Sequence, residues 1–129
     1  MPENKKAEET VVMCGEPSPD LTIKKANELF GKIKTEKDIA DLYAVVENKA
    51  WWIEDELYDY DVDTEEYKVA REKTIMWFSL ADKVKEKVFD ILKSEGAVIP
   101  DKGQITVLEP FMKRNGYKNG NGWWYICLE

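Results

Sequence analysis

The residues with the clearest chemical potential form an acidic cluster in the middle of the chain. Between Glu54 and Glu66 there are eight acidic residues and no basic one: Glu54, Asp55, Glu56, Asp59, Asp61, Asp63, Glu65 and Glu66. Carboxylates at this density can ligate metal ions, transfer protons or bind a positively charged partner. Which of these applies depends on their spacing and on the elements that hold them.

The spacing Asp59-x-Asp61-x-Asp63 matches the first three ligand positions of an EF-hand calcium loop. The rest of that pattern is missing, because Thr64 stands where the loop needs glycine and Ala70 where it needs a bidentate glutamate. The simpler interpretation is a solvated turn in which Asp63 caps the following helix. We therefore expect no resident metal ion or other cofactor, and leave open whether the turn binds a divalent cation weakly.

Carboxylates on facing helices also build two-metal sites for phosphate hydrolysis, so an all-α nucleotide or phosphoester hydrolase is the alternative function. Asp55 and Glu56 both have helical spacing to Asp59. However, Ile53 and Leu57 define the inward face, and the acidic residues fall beside or opposite it. The sequence also has no glycine-rich phosphate loop and no histidine, the usual general base. These patterns favour a protein that is not an enzyme.

The charge of the chain is concentrated in this cluster. The 26 acidic and 19 basic residues give a net charge of −7, and residues 54–66 alone carry −8. The acidity is therefore a local feature of the surface. Binding to DNA or RNA depends on Lys and Arg, so direct nucleic-acid binding through this cluster is excluded. The expected partner is a basic protein surface.

Tryptophan side chains are the second kind of candidate contact, because exposed tryptophan is typical of interface hot spots. Trp77 falls on an apolar helical repeat and is expected in the core. Trp51 and Trp52 are neighbours on a helix and point about 100° apart, so both cannot face one apolar stripe. Trp123 and Trp124 alternate on a strand, so one is buried and the other faces outward. We take Trp52 and Trp124 as candidate partner contacts.

Three helices are expected to position these residues. Asp20 or Thr22 can cap a first, short helix. Thr35 and Asp38 resemble a capping box ahead of a second helix of about six turns, in which apolar residues recur every three or four positions. The same spacing predicts a third, longer helix over residues 67–91. The connection between the long helices, residues 59–63, is short enough to force an antiparallel hairpin. The acidic cluster then lies at its end, and we call residues 54–66 the acidic tip.

Residues 97–129 differ from the long helices in composition and in apolar spacing. Apolar spacing suggests a short helix, but Pro110 makes only its last turn certain, so residues 104–108 stay open between helix and strand. Asn-Gly pairs at residues 119–122 mark turns, and residues 123–128 have the composition of a strand. Residues 97–99, residues 104–108 or a second copy of the chain can pair with that strand. Self-association through the strand is therefore one expectation.

Length and composition indicate one domain with a flexible terminal segment. The chain has 129 residues, of which 43% are hydrophobic, enough for a core. Residues 1–20 are interpreted as a flexible tail, and residues 21–129 as a single helical domain that includes the small α/β segment 97–129. No apolar run suits a membrane span or a secretory signal, so we expect a cytoplasmic location and no membrane partner.

The sequence thus predicts a mainly α-helical fold, with an antiparallel hairpin of two long helices, a shorter N-terminal helix against it, and a small C-terminal helix–strand appendage. The predicted function is that of a non-catalytic acidic interaction protein that binds a basic macromolecular partner. Inhibitors, antitoxins, adaptors and phosphate-backbone mimics are the classes that share this composition.

Overall fold

The computed structural model describes residues 18–120 and 123–126 and confirms the predicted, mainly helical fold class. In chain order the elements are α1 (Ile23–Phe30), α2 (Glu36–Asp55), a 3-10 turn (Glu56–Asp59), α3 (Glu65–Ser94), α4 (Ile105–Arg114), β1 (Tyr117–Gly120) and β2 (Trp123–Ile126). Residues 1–17 of the expected tail and residues 127–128 of the expected strand lie outside the described residues. The long helices α2 and α3 pack against each other as the predicted hairpin.

A threonine caps the N-terminus of each of the first three helices. The side chains of Thr22, Thr35 and Thr64 each accept a hydrogen bond from the backbone amide three residues later. At α2 the Asp38 carboxylate accepts a bond from the Thr35 amide, which completes the predicted capping box. The expectation that Asp63 caps α3 is wrong. Thr64 is the last residue with extended backbone, so its hydroxyl, one residue closer, reaches the free amide.

The facing sides of α2 and α3 supply most of the core. Val46 and Ala50 of α2 and Val84 and Val88 of α3 are fully buried. Trp77 is 3% exposed, so its predicted core position is confirmed. The helix α1 packs against both long helices and covers the seam between them. The hairpin therefore forms the frame on which the tip and the C-terminal segment are held.

Residues 104–108, left open by the sequence, begin a helix, since α4 starts at residue 105 and includes Pro110. Proline has no N–H, so the carbonyl of Thr106 lacks its helical donor. Thr106 is exposed, and water can bind that carbonyl there. Leu108, Phe111 and Met112 are buried and hold α4 against the rest of the domain. Burial of this apolar face therefore outweighs the disruption by proline.

The C-terminal strand pairs with a segment that the sequence analysis interpreted as turns. The strands β1 and β2 are antiparallel, with Gly120 opposite Trp123. The expected partners, residues 97–99 or 104–108, are wrong. The strand β1 escaped notice because Lys118, Asn119 and Gly120 have low strand propensity. A Cβ at Gly120 would lie 2.9 Å from the Tyr125 ring, so glycine lets that ring cover the strand. The pairing with β1 gives β2 a partner within the chain. Self-association through the strand stays a prediction.

Arg114 at the end of α4 ties three helices together. Its guanidinium donates to Glu36 at 2.7 and 2.9 Å and to Glu95 at 3.0 and 2.8 Å. Glu36 starts α2 and Glu95 follows the last residue of α3, so one side chain joins three helix ends. The hydrogen bonds from Arg114 and then Asn115 hold the pKa of the Glu36 carboxyl below its usual range. This clamp fixes the C-terminal segment against the hairpin.

Candidate functional site

The acidic tip is a turn between two helix ends, as predicted, but it is longer than the expected connection of residues 59–63. The helix α2 ends at Asp55, the 3-10 turn continues to Asp59, and α3 begins at Glu65. The Asp61 carbonyl accepts hydrogen bonds from the Thr64 hydroxyl at 2.7 Å and from the Thr64 amide at 3.1 Å. These bonds shape the turn through its backbone and leave the carboxylates out of the internal bonding.

Most carboxylates of the tip face solvent. Asp55, Asp59, Asp61, Asp63, Glu65 and Glu66 are exposed, and Glu54 and Glu56 are half-buried. Within residues 18–120 and 123–126, none of these eight side chains forms an ion pair. Like charges held this close repel one another. The acidic residues that are concentrated in the sequence are thus also concentrated at one end of the α2–α3 hairpin.

The tip carboxylates do not converge on one point. In the part of the chain that the structure describes, no group of three or more His, Cys, Asp or Glu side chains could hold a metal ion. The calcium-like series Asp59, Asp61 and Asp63 is spread over an exposed turn instead. A two-metal hydrolase site needs several carboxylates around each ion. This arrangement therefore gives the hydrolase alternative no support.

Apolar side chains lie among the acidic ones, a feature that the sequence analysis did not use. Tyr58 is 82% exposed and Val62 is 74% exposed, and Tyr60 and Val69 are also at the surface. Tyr60 and Val69 line a shallow pocket of about 320 Å³ beside the start of α3. The signal was present as an alternation of apolar residues and aspartates over residues 58–63. The tip therefore offers apolar contact area together with charge.

The exposures of the two adjacent tryptophans of α2 are the reverse of those expected for Trp52 as the partner contact. Trp52, the predicted contact, is half-buried and packs against the core. Trp51 is 43% exposed, and its ring meets the Phe78 ring edge-on at a centroid distance of 5.1 Å. Ile53 lies on the buried face of α2. Around the helix axis Trp52 is about 100° from Ile53 and Trp51 is about 200° from it, so Trp51 points away from the core. Trp51 is consequently the more accessible of the two side chains.

Trp124 is buried, so its prediction as a partner contact is wrong. Its side chain is 3% exposed, and the centroid of its ring lies 6.2 Å from the centroid of the Tyr43 ring. The side chain of Asn48 binds the backbone N–H and the backbone carbonyl of Trp124, both at 2.9 Å. The predicted alternation of faces does hold, and Trp123 is the half-exposed neighbour. Strand periodicity gave two faces but could not say which of them meets α2.

A cleft of about 610 Å³ brings aromatic residues of α2 and β2 together. Its lining includes Tyr43, Glu47, Trp51, Asp55, Trp123 and Trp124. The four residues from α2 follow one another at intervals of four and form one stripe along the helix. That spacing is visible in the sequence, but it mixes acidic and aromatic residues and so is not an apolar repeat. Asp55 is also part of the acidic tip, so the cleft and the tip are continuous.

Glu47 is the half-buried carboxylate of this cleft. Burial raises the pKa of Glu47, and the hydrogen bond from Trp51 and the charge of Lys85 counteract the rise only in part, while Asp82 adds to it. The Trp51 indole N–H donates to Glu47 Oε2 at 3.0 Å. Among the described residues, no group donates to the other oxygen, Oε1. Burial also raises the pKa of the Tyr43 hydroxyl. The cleft therefore holds a carboxylate with acceptor capacity to spare.

Comparison of the chain with models of known protein families, with curated proteins and with solved structures found no match. Among the described helices, none combines the length and the apolar character that a membrane crossing requires. The acidic tip and the cleft beside it are accordingly the two features from which function is inferred.

Proposed function

We propose that this protein is a non-catalytic interaction protein and that its acidic tip binds a basic surface of a partner protein. The observation that carries the proposal is a set of six exposed carboxylates, none of them ion-paired with a described residue, on the turn between α2 and α3 and on the two helix ends beside it. Inhibitors, antitoxins, adaptors and phosphate-backbone mimics are all compatible with such a surface, and a cytoplasmic location is part of the proposal.

Electrostatics supports this assignment. Like charges concentrated in one turn reduce stability, and a neutral or basic residue in the same turn would avoid that cost. A partner that presents Arg and Lys relieves the repulsion and is attracted from a distance, which raises the association rate. The exposed side chains of Tyr58 and Val62 then add apolar contact area that charge alone cannot provide. The hairpin holds the tip on two packed helices, so little ordering is required on binding.

The test is capture of a partner with the immobilised full-length chain, followed by a quantitative comparison of variants. A protein recovered from lysate at low salt is purified, and its association and dissociation rates are measured between about 50 and 300 mM salt. The variant Asp59→Asn with Asp61→Asn and Asp63→Asn should lower the association rate at least tenfold at low salt. Affinity for the unaltered chain should fall steeply as salt rises.

A matched control neutralises three exposed acidic residues away from the tip, with Glu86→Gln, Asp90→Asn and Glu109→Gln. It changes the net charge by the same amount, so it measures the effect of global charge alone. The proposal requires that this control bind within about twofold of the unaltered chain. Equal losses in the two triple variants, or an affinity that does not depend on salt, would contradict it.

The second candidate, a metal-dependent nucleotide or phosphoester hydrolase, has no specific observation in its favour. The carboxylates that it would use are spread over an exposed turn, and among residues 18–120 and 123–126 no metal-binding group is formed. Metal-dependent turnover that is abolished by Asp59→Ala or Glu56→Gln would favour that candidate over the interaction protein.

A further inference from the structure

We propose that the cleft between α2 and β2 receives an arginine side chain of the partner protein. This inference rests on the proposed function and specifies how the partner is recognised. The observation behind it is the meeting of aromatic rings from two elements, Trp51 and Trp123, with the carboxylates of Glu47 and Asp55 around one cavity of about 610 Å³.

The lining of the cleft selects a cation. Aromatic faces carry the negative part of the ring quadrupole and attract positive charge, most strongly for tryptophan. Glu47 is ionisable and half-buried, and its Oε1 accepts no hydrogen bond from the described residues. A carboxylate in this position loses hydration without gaining a second donor. A bound cation that donates to Glu47 Oε1 supplies both the missing bond and the missing charge.

Arginine fits these requirements better than lysine. The guanidinium is planar and weakly hydrated, so it can stack on an indole ring while its edge donates to a carboxylate. An ammonium group is compact and strongly hydrated, and it cannot satisfy both surfaces in the same way. The cavity volume is in the range of about 300–1,000 Å³ that is typical of ligand sites. An arginine with part of its main chain therefore has room to enter.

The position of the cleft indicates that the arginine belongs to the same partner as the basic surface. Asp55 lines the cleft and is also an exposed residue of the acidic tip. A basic surface seated on the tip thus lies beside the opening of the cleft. The tip supplies attraction over a distance, and the cleft supplies an aromatic pocket of the type that holds hot-spot residues.

Lys85 is the internal competitor of the arginine. It lines the cleft and its charge favours the ionised form of Glu47, although its nitrogen lies 3.7 Å from Asp82. Lys85→Gln removes the one basic side chain among the described residues that line the cleft. We expect this variant to bind the guanidinium more tightly, which a loss of structure could not imitate.

The experiment titrates the full-length protein with N-acetyl-arginine amide at constant ionic strength and follows the indole N–H signals by NMR. Saturable shifts are expected for Trp51 and Trp123. N-acetyl-citrulline amide, which has nearly the same shape and no charge, should bind at least tenfold more weakly. The variant Glu47→Gln keeps an acceptor for Trp51 and should weaken arginine binding about ten- to a hundredfold. Lys85→Gln should strengthen it about two- to fivefold.

The matched control is the tip variant Asp59→Asn with Asp61→Asn and Asp63→Asn, which should bind the amino-acid probe within about twofold of the unaltered chain. Equal binding of the arginine and citrulline probes would overturn the inference, as would saturable binding that leaves the indole signals of Trp51 and Trp123 unshifted. Unchanged binding in Glu47→Gln, in a protein whose amide spectrum shows an intact fold, would overturn it as well.

The two proposals can fail separately, because the probe titration needs no partner. If the probe does not bind the cleft and the tip variant still loses the captured partner, the cleft inference is wrong and the proposed function stands. If the probe shifts the cleft indoles and the tip variant keeps the partner, the cleft is a guanidinium site and the tip is not the partner surface.

Discussion

The side chain of Asn48 pairs with the backbone of Trp124 in the way that a neighbouring strand would. Asn48 Nδ2 donates to the Trp124 carbonyl and Asn48 Oδ1 accepts from the Trp124 N–H, each at 2.9 Å. The two residues are 76 positions apart in the chain. Both backbone groups are buried there, so without this amide they would be left unsatisfied. The buried side chain of Asn48 thus holds the strand pair of β1 and β2 against α2.

The first prediction is that Asn48→Ala destabilises the fold by about 2–4 kcal/mol, since two buried backbone groups lose their partner. Urea unfolding followed by circular dichroism measures the change. The control is Asn27→Ala, because Asn27 is exposed and its amide bonds only its own helix. That variant should change the free energy of unfolding by no more than about 0.5 kcal/mol. Similar losses in both variants would show that Asn48 is not the docking residue.

The pairing explains why the sequence predicted the helices well and the C-terminal contacts poorly. A cap such as Thr35 acts within one turn, and an apolar repeat reports its own helix face, so both can be predicted from local sequence. The contact that holds the Trp124 backbone against α2 comes from Asn48, 76 positions away, so no local pattern showed that Trp124 rather than Trp123 would be buried. The strand β1 was missed for a related reason, since its residues have weak strand propensity and it is held by its pairing with β2.

The two parts of the candidate site differ in the same way, because the tip could be predicted from local sequence and the cleft could not. The acidic tip was predicted because a run of like charges between two helices needs only the helix boundaries to be placed. The cleft needed two elements that meet only in the folded chain, α2 and β2. Its half on α2 was visible as the four-residue spacing from Tyr43 to Asp55. Without the opposing tryptophans, that spacing is a stripe on a helix and has no function of its own.

The second prediction concerns the hairpin core. Trp77→Ala should lower the free energy of unfolding by about 3–5 kcal/mol, because it leaves a large cavity between α2 and α3. Val84→Asp should cost at least as much, because Val84 is fully buried and the new carboxylate has no partner. The control is Met76→Ala, next to Trp77 and 47% exposed, which should cost less than about 1 kcal/mol. A small effect of both core variants in urea unfolding would contradict the hairpin as the main source of stability.

The third prediction is the pH dependence of the Arg114 clamp. Arg114→Gln should cost about 1 kcal/mol at pH 7, a modest value because the three side chains are 35–44% exposed and solvent screens the pair. The pKa of Glu36 is lowered in the folded protein from the usual 4.5. A lowered carboxyl pKa contributes stability above the unfolded value, and that contribution is lost as the pH falls through the folded value.

The difference in unfolding free energy between the unaltered chain and Arg114→Gln should therefore be constant above about pH 5 and shrink toward pH 3. Urea titrations at several pH values measure it. The control is Arg71→Gln, since Arg71 is exposed and forms no ion pair with a described residue. Its difference should be small and independent of pH. A clamp difference that stays the same down to pH 3 would exclude the ion pair as its cause.

The last prediction is that the acidic tip costs stability through charge repulsion, which salt relieves. Asp59→Asn with Asp61→Asn and Asp63→Asn keeps the backbone hydrogen bonds of the turn and removes three of its exposed charges. At about 10 mM salt, where the Debye length is about 30 Å, the variant should be more stable by about 0.3–1 kcal/mol. At about 1 M salt the Debye length is about 3 Å, and the difference should disappear. The control with Glu86→Gln, Asp90→Asn and Glu109→Gln removes equal charge from scattered positions and should gain less at low salt. If the tip variant is less stable than the unaltered chain at every salt concentration, its carboxylates contribute to the fold, and repulsion no longer supports the tip as a surface for a basic partner.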